Sequence, residues 1–159
     1  AVMCLTGGVL VMIGWLWALG VIAEVGVFLF MQRLLSGLSP RNLMLLALAA
    51  TAIRWVLLAL LVEYLPALLF AQLLHMASFG IYHAVAVNLI HRMFRGKLQG
   101  RGQALYSSLS FGAGGGLGAW LGGSLWEVWP PQAVFLASAA VALLAFVIAL
   151  LGLRGGQIT

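Results

Sequence analysis

Five runs of about 20 apolar residues follow one another along the chain, separated by short polar or charged gaps. A membrane-spanning helix needs about 20 consecutive apolar residues, because it rises about 1.5 Å per residue across a hydrocarbon core about 30 Å thick. With 64% hydrophobic and only 7% charged residues, the chain is also far more apolar than soluble domains are. The sequence therefore predicts an all-α, polytopic transmembrane helix bundle with five spans, which are approximately Gly8–Met31, Leu43–Val62, Pro66–His91, Ala104–Trp126 and Ala133–Leu153.

The gaps between the runs alternate in charge. Gaps two and four hold Glu63 and Glu127 and no basic residue. Basic side chains fill the other gaps and the tail: Arg33, Arg41, Arg92, Arg95, Lys97, Arg101 and Arg154. Since cytoplasmic loops carry the excess of Lys and Arg, this pattern predicts basic loops on the cytoplasmic side of a bacterial inner membrane. It also explains the basic character of the chain without nucleic acid binding.

The third run carries polar side chains inside apolar sequence. Gln72, His75, Tyr82 and His83 fall on or near one helical stripe, because residues three, four, seven or eight apart share a face. Polar groups at membrane depth usually face a bundle interior or a watery cavity rather than lipid. This stretch is therefore predicted to line a path through the membrane.

Two charged residues join this set near the bilayer centre. Counted from the outer turns, Arg54 and His75 both lie about 13 Å deep, so they are expected to meet. Glu24 and His83 lie about 13 Å from the inner surface and are expected to meet each other. An unpaired Arg or Glu at that depth costs at least about 2.5–3.5 kcal/mol, which favours mutual pairing. Ion pairs that only fasten two spans together are the structural alternative.

The histidines do not predict a metal or haem site. His75, His83 and His91 are eight residues apart, and in an α-helix eight residues rotate the face by about 80°, so the three would not converge on one ion. The sequence also lacks the nucleophile-elbow, zinc-protease and phosphate-loop motifs. We therefore expect no enzyme activity and no cofactor.

The fourth run contains the glycine-rich stretch FGAGGGLGAWLGG. Gly112/Gly116, Gly114/Gly118 and Gly118/Gly122 are pairs of small residues four apart, which let a second helix approach closely. Such a face serves either as a static packing seam or as a sliding seam between moving halves.

Four stretches resemble the C-terminal half of a major facilitator superfamily transporter. They are WALGVIAEVGVFLF, LSPRNLMLLALAATAIRWVLLAL, LLFAQLLHMASFGIYHAVAVNLIHR and GQALYSSLSFGAGGGLG. The similarity is to the branch of 3-phenylpropionic acid transporter-like and lactose permease-like proton symporters. It implies that the five spans are helices eight to twelve of that fold and that residues 1–159 are part of a C-terminal half whose N-terminal half is missing.

The resemblance also implies roles for individual residues. In the lactose permease-like branch an acid on helix eight, an Arg on helix nine and a His on helix ten take part in substrate recognition and proton coupling. Arg54 and His75 match the last two, whereas Glu24 lies about one turn from the acid position, where this chain has Val21. Ser78 replaces a further acid of the lactose permease-like pattern, which favours the phenylpropionate-like branch.

The expected function is proton-coupled secondary transport of a small organic solute, such as an aromatic or other organic acid, with lipid, protons and the other half of the transporter as partners. The expected substrate and proton-coupling residues are Glu24, Arg54, Gln72, His75 and His83. A membrane scaffold or assembly subunit, in which these residues only hold helices together, is the alternative.

Overall fold

The computed structural model describes residues 2–153, and every regular element in this range is helical. Arg154 of the predicted basic tail lies outside the described residues. The elements are α1 (Val2–Gly37), α2 (Pro40–Leu61), α3 (Leu65–His75), a first π-helical segment (Met76–Ile81), α4 (Tyr82–Met93), a 3-10 turn (Gly96–Leu98), α5 (Gln99–Ser107), a second π-helical segment (Ser108–Gly114), α6 (Gly115–Val128) and α7 (Pro131–Gly152).

Four helices are long and apolar enough to cross a membrane, and they match four of the five predicted spans: Leu10–Phe30, Pro40–Leu61, Leu65–Met93 and Pro131–Gly152. The remaining predicted span, Ala104–Trp126, is helical from end to end but does not reach the same hydropathy. Its seven glycines and four serines add little apolar surface. The all-α bundle is confirmed, while the membrane crossing of this fifth span stays a prediction.

The helices begin at the turn residues that the sequence offers. Ser39 caps α2 by accepting a hydrogen bond from the Asn42 backbone N–H at 3.3 Å, and Pro40 occupies the first turn. Pro131 starts α7 in the same way. Helix α1 continues to Gly37, beyond the apolar run, so Arg33 lies on a helix rather than in a loop. Backbone hydrogen bonding therefore extends past the membrane boundary that polarity alone marks.

Helix α2 is the centre of the bundle. It packs most extensively against α7 and also contacts α3, the first π-helical segment and α4. Leu43, Met44 and Ala47 of α2 form the buried core with Ile81 and Val85 from the third predicted span.

Alanine provides the small residues where helices pack closely. The buried residues of α2 include Ala50, Ala52 and Ala59, and those of α7 include Ala139 and Ala142. Small side chains allow two backbones to approach and gain dispersion contacts, which drive helix association in lipid.

The glycine-rich face of α6 has a different environment. A Cβ atom built at Gly116, Gly118 or Gly122 would meet no atom within 4 Å. No described residue of α6 is buried. The described part of the chain therefore supplies no helix for this face, and its packing against another helix stays a prediction.

Candidate functional site

Three rings spaced four residues apart stack along the third predicted span, around its first π-helical segment. The rings of His75 and Phe79 stack at a centroid distance of 5.7 Å and an interplanar angle of 10°. Those of Phe79 and His83 stack at 5.9 Å and 2°. Because residues four apart lie on the same side of a helix, the three rings form one column along it.

We call His75, Phe79 and His83 the ring column. Since Phe79 lies between the two histidines, their imidazoles do not converge on a common point. Among the described residues, no group of three or more His, Cys, Asp or Glu side chains has the arrangement of a metal site.

The Arg54 guanidinium contacts the ring column at His75, the first of its three residues. Its Nη1 lies 3.0 Å from His75 Nδ1, so the expected meeting of these two residues is observed. Arginine can only donate, so Nδ1 must be the acceptor and the His75 proton must sit on Nε2. In this arrangement His75 is neutral and the pair carries one positive charge.

The remaining contacts of Arg54 leave its charge without an anionic partner. The guanidinium carbon lies 4.5 Å from the ring centroid of Trp55, a cation–π contact. The Nε atom is buried and has no hydrogen-bond partner. No ion pair joins Arg54 to a carboxylate in the described range 2–153. The site therefore holds a cation that is positioned by neutral groups and can accept an anion.

Helix α1 reaches the site at Gly20, a residue that the polar pattern did not identify. Gly20 is buried, and a Cβ atom there would lie 3.3 Å from Gln72 Oε1 and 3.5 Å from His75 Cδ2. The absence of a side chain lets α1 approach the two polar residues of α3 closely. Gln72 and His75 are thus brought together at the α1–α3 contact, as their shared stripe predicted.

Glu24 and His83 were expected to meet each other, but they do not. Glu24 is half-buried on α1, one turn beyond Gly20 on the same face. It forms no hydrogen bond or ion pair with Arg54 or His83 in the part of the chain that the structure describes. His83 Nδ1 instead lies 3.3 Å from the Tyr106 hydroxyl of α5. His83 therefore contacts α5 rather than Glu24 of α1.

Three aromatic residues complete the site and were missed by the sequence analysis. Phe111, from the second π-helical segment, lies with its ring centroid 6.1 Å from Phe79 and 5.7 Å from His83. Tyr106 lies 5.9 Å from both His83 and Phe111. Phe79, Tyr106 and Phe111 look like ordinary apolar residues in the sequence, and the four-residue spacing from His75 to Phe79 to His83 was the available signal.

Chemically, the site combines a cation with an adjoining aromatic surface. The guanidinium offers N–H donors to a carboxylate, which arginine binds in a bidentate manner. His75 can take up or release a proton beside that cation. This combination suits an organic anion and a proton, and it contains no nucleophile–base pair of the kind that covalent catalysis uses.

These features define a multi-pass helical membrane protein with a charged and aromatic site between its helices. Residues 6–137 match the model of the "MFS_1 like family". The chain belongs to this family of major facilitator transporters, which are not enzymes.

One curated relative agrees with this membership. The chain is 33% identical over 100 residues to the "Probable 3-phenylpropionic acid transporter" of Escherichia coli (strain K12). The aligned part is 63% of this chain and 26% of the relative, so the chain spans about a quarter of that protein's length. No solved structure matches the chain.

Proposed function

We propose that this chain belongs to a proton-coupled transporter of small organic acids, in which Arg54 binds the substrate carboxylate. The observation that carries the proposal is the Arg54 guanidinium, which touches His75 and the Trp55 ring but has no carboxylate partner among the described residues. An uncompensated cation near the bilayer centre costs at least about 2.5–3.5 kcal/mol, so a bound anion would stabilise this state.

The contact between Arg54 and His75 supports a simple coupling of proton and substrate. His75 accepts the arginine N–H at Nδ1, and a proton added to Nδ1 removes that acceptor. Two cations would then lie side by side in a medium that screens charge weakly. A substrate carboxylate relieves this repulsion, so we propose that the acid and the proton bind together and leave together.

Substitution of Arg54 by lysine tests the carboxylate contact. Arg54→Lys keeps the charge but loses the planar fork, so uptake of a labelled aromatic acid into membrane vesicles should fall at least about tenfold. Arg95→Lys, on the exposed loop after α4, is the matched control and should transport normally. Normal uptake by Arg54→Lys at equal expression would favour the scaffold alternative, in which Arg54 only fastens helices.

A second substitution separates binding from coupling. Asparagine at position 75 keeps a hydrogen-bond acceptor for Arg54 but cannot carry the proton. His75→Asn should therefore retain exchange of labelled for unlabelled acid while it loses accumulation driven by a proton gradient. Accumulation at the wild-type level would assign proton coupling to another group, with Glu24 as the next candidate.

We propose that residues 1–159 act with an N-terminal half, because transport by rocking two bundles around a central site needs both. The matched part is about a quarter of the relative's length, so most of that protein lies outside the match. Expressed alone, the chain should insert into membranes without uptake, and co-expression of the preceding part of the protein should restore uptake. Uptake by the chain alone would contradict the division.

The proposed orientation puts the basic loops in the cytoplasm of a bacterial inner membrane. Gly100 lies in the first turn of α5, next to the basic connection, and Gln132 lies in the first turn of α7, next to the acidic one, and both are exposed. With Cys4 replaced by serine, a membrane-impermeant thiol reagent applied to intact cells should label Gln132→Cys and not Gly100→Cys. The reverse labelling would invert the topology.

A further inference from the structure

The two π-helical segments of the described chain face each other across the site, and each contributes one phenylalanine. Phe79 belongs to Met76–Ile81 and Phe111 to Ser108–Gly114. Their rings meet at 6.1 Å with an interplanar angle of 57°. Because π-helical turns have poorer backbone geometry than α-helical turns, they are rare and often occur at functional sites. Two of them directed at one ring pair indicate a function for that pair.

The two phenylalanine rings are open rather than part of the hydrophobic core. Phe79 is 37% exposed and Phe111 is 46% exposed, and neither belongs to the buried cluster on α2. The face that carries Phe79 also carries His75 and His83. Since imidazoles are disfavoured against lipid, we expect this face to be directed toward the predicted polar path and not toward the hydrocarbon.

The position of the ring pair relative to Arg54 fits one elongated ligand. Arg54 contacts His75 at 3.0 Å, and the Phe79 ring is the next ring along the column, 5.7 Å from His75. Because the two imidazoles cover the faces of Phe79, a molecule whose carboxylate is bound to Arg54 would place its far end against the exposed edge of Phe79, beside Phe111. A ligand ring that turned its face toward the edges of these two side chains would gain the contact that aromatic pairs make at centroid distances of about 4.5–7 Å.

We propose that Phe79 and Phe111 form a ring-binding subsite that selects aryl acids over alicyclic acids of the same length. This inference rests on the proposed transport of organic acids and assigns the specificity of that site to these two side chains. A saturated ring of similar size would bury similar apolar area, but it has no π-face for the phenylalanines. The preference for the aryl acid should therefore be about two- to tenfold, as measured for aromatic pairs.

Competition between two acids in one vesicle preparation tests the subsite. The complete transporter would take up 3-phenylpropionate and 3-cyclohexylpropionate, which differ only in the saturation of the ring, and the ratio of their uptake rates would be measured. The ratio does not depend on how much protein folds. In wild type it should favour the aryl acid about two- to tenfold, and in Phe79→Leu it should approach one.

Matched variants show which side chains cause the preference for the aryl acid. Phe79→Tyr keeps an aromatic ring and should keep the preference. Phe111→Leu should reduce the preference. If Phe79→Leu does not fold, the uptake ratio of Phe111→Leu decides whether the subsite exists. Phe70→Leu is the control, because Phe70 is a 53% exposed phenylalanine of the same span outside the ring contacts. Equal uptake of both acids by wild type, or an unchanged ratio in Phe79→Leu, overturns the subsite but leaves acid transport standing. Uptake of neither acid by wild type overturns both proposals.

Discussion

Substitution of Gly20 by larger residues should push α1 away from the Arg54–His75 site. At this position a Cβ atom would lie 3.3 Å from Gln72 Oε1 and 3.5 Å from His75 Cδ2. The first distance is tight, but the Gln72 side chain is flexible and can move by a few tenths of an ångström. Gly20→Ala should therefore change stability little. Gly20→Leu adds three further carbons against the same neighbours and should destabilise by about 1–3 kcal/mol, the usual cost of overpacking.

Thermal unfolding of the purified protein in detergent measures this cost. A loss of 1 kcal/mol lowers the unfolding midpoint by about 2–4 °C in chains of 150–250 residues, so Gly20→Leu should unfold several degrees below wild type. Gly14→Leu is the control, because a Cβ atom at Gly14 would meet nothing within 4 Å. Uptake should also fall in Gly20→Leu, since His75 is displaced from Arg54. A Gly20→Leu protein with the wild-type midpoint and uptake would refute the close α1–α3 contact.

Two predictions concern stability alone. A Cβ atom at Gly102 would lie 2.5 Å from Phe94 Cγ, so Gly102→Ala should destabilise by about 1–2 kcal/mol by thermal unfolding, whereas Gly100→Ala, with open space around it, should not. Equal midpoints for the two variants would contradict this. Arg41 Nη2 donates a 3.0 Å hydrogen bond to the Leu150 carbonyl in the last turn of α7. Arg41→Met should therefore lower the free energy of unfolding by about 1 kcal/mol. An unchanged unfolding midpoint would mean that this bond contributes nothing to stability.

Part of the candidate site followed from residue counting alone. Arg54 and His75 each lie nine residues inside an outer turn, and helices of known rise place them at one depth, where the structure joins them. The expected contact between Glu24 and His83 failed because equal depth says nothing about rotation. His83 lies within hydrogen-bonding distance of Tyr106 instead, and the helix rotation that brings these two side chains together leaves no distinct mark in the composition.

The sequence by itself determined that this chain is a helical membrane protein. The length and polarity of each run are local properties, and they decide whether a segment is stable across the bilayer. It also indicated that Arg54 is unusual, because a charged side chain inside an apolar run is costly and is usually paired or functional. Only the tertiary structure decided which helices touch and which residues surround that charge. Alanines of α2 and α7 are buried in the packed bundle while Gly116 stays open, and Phe79 and Phe111 meet at the site. These outcomes depend on how neighbouring helices rotate against one another, and that rotation is settled by packing over the whole bundle.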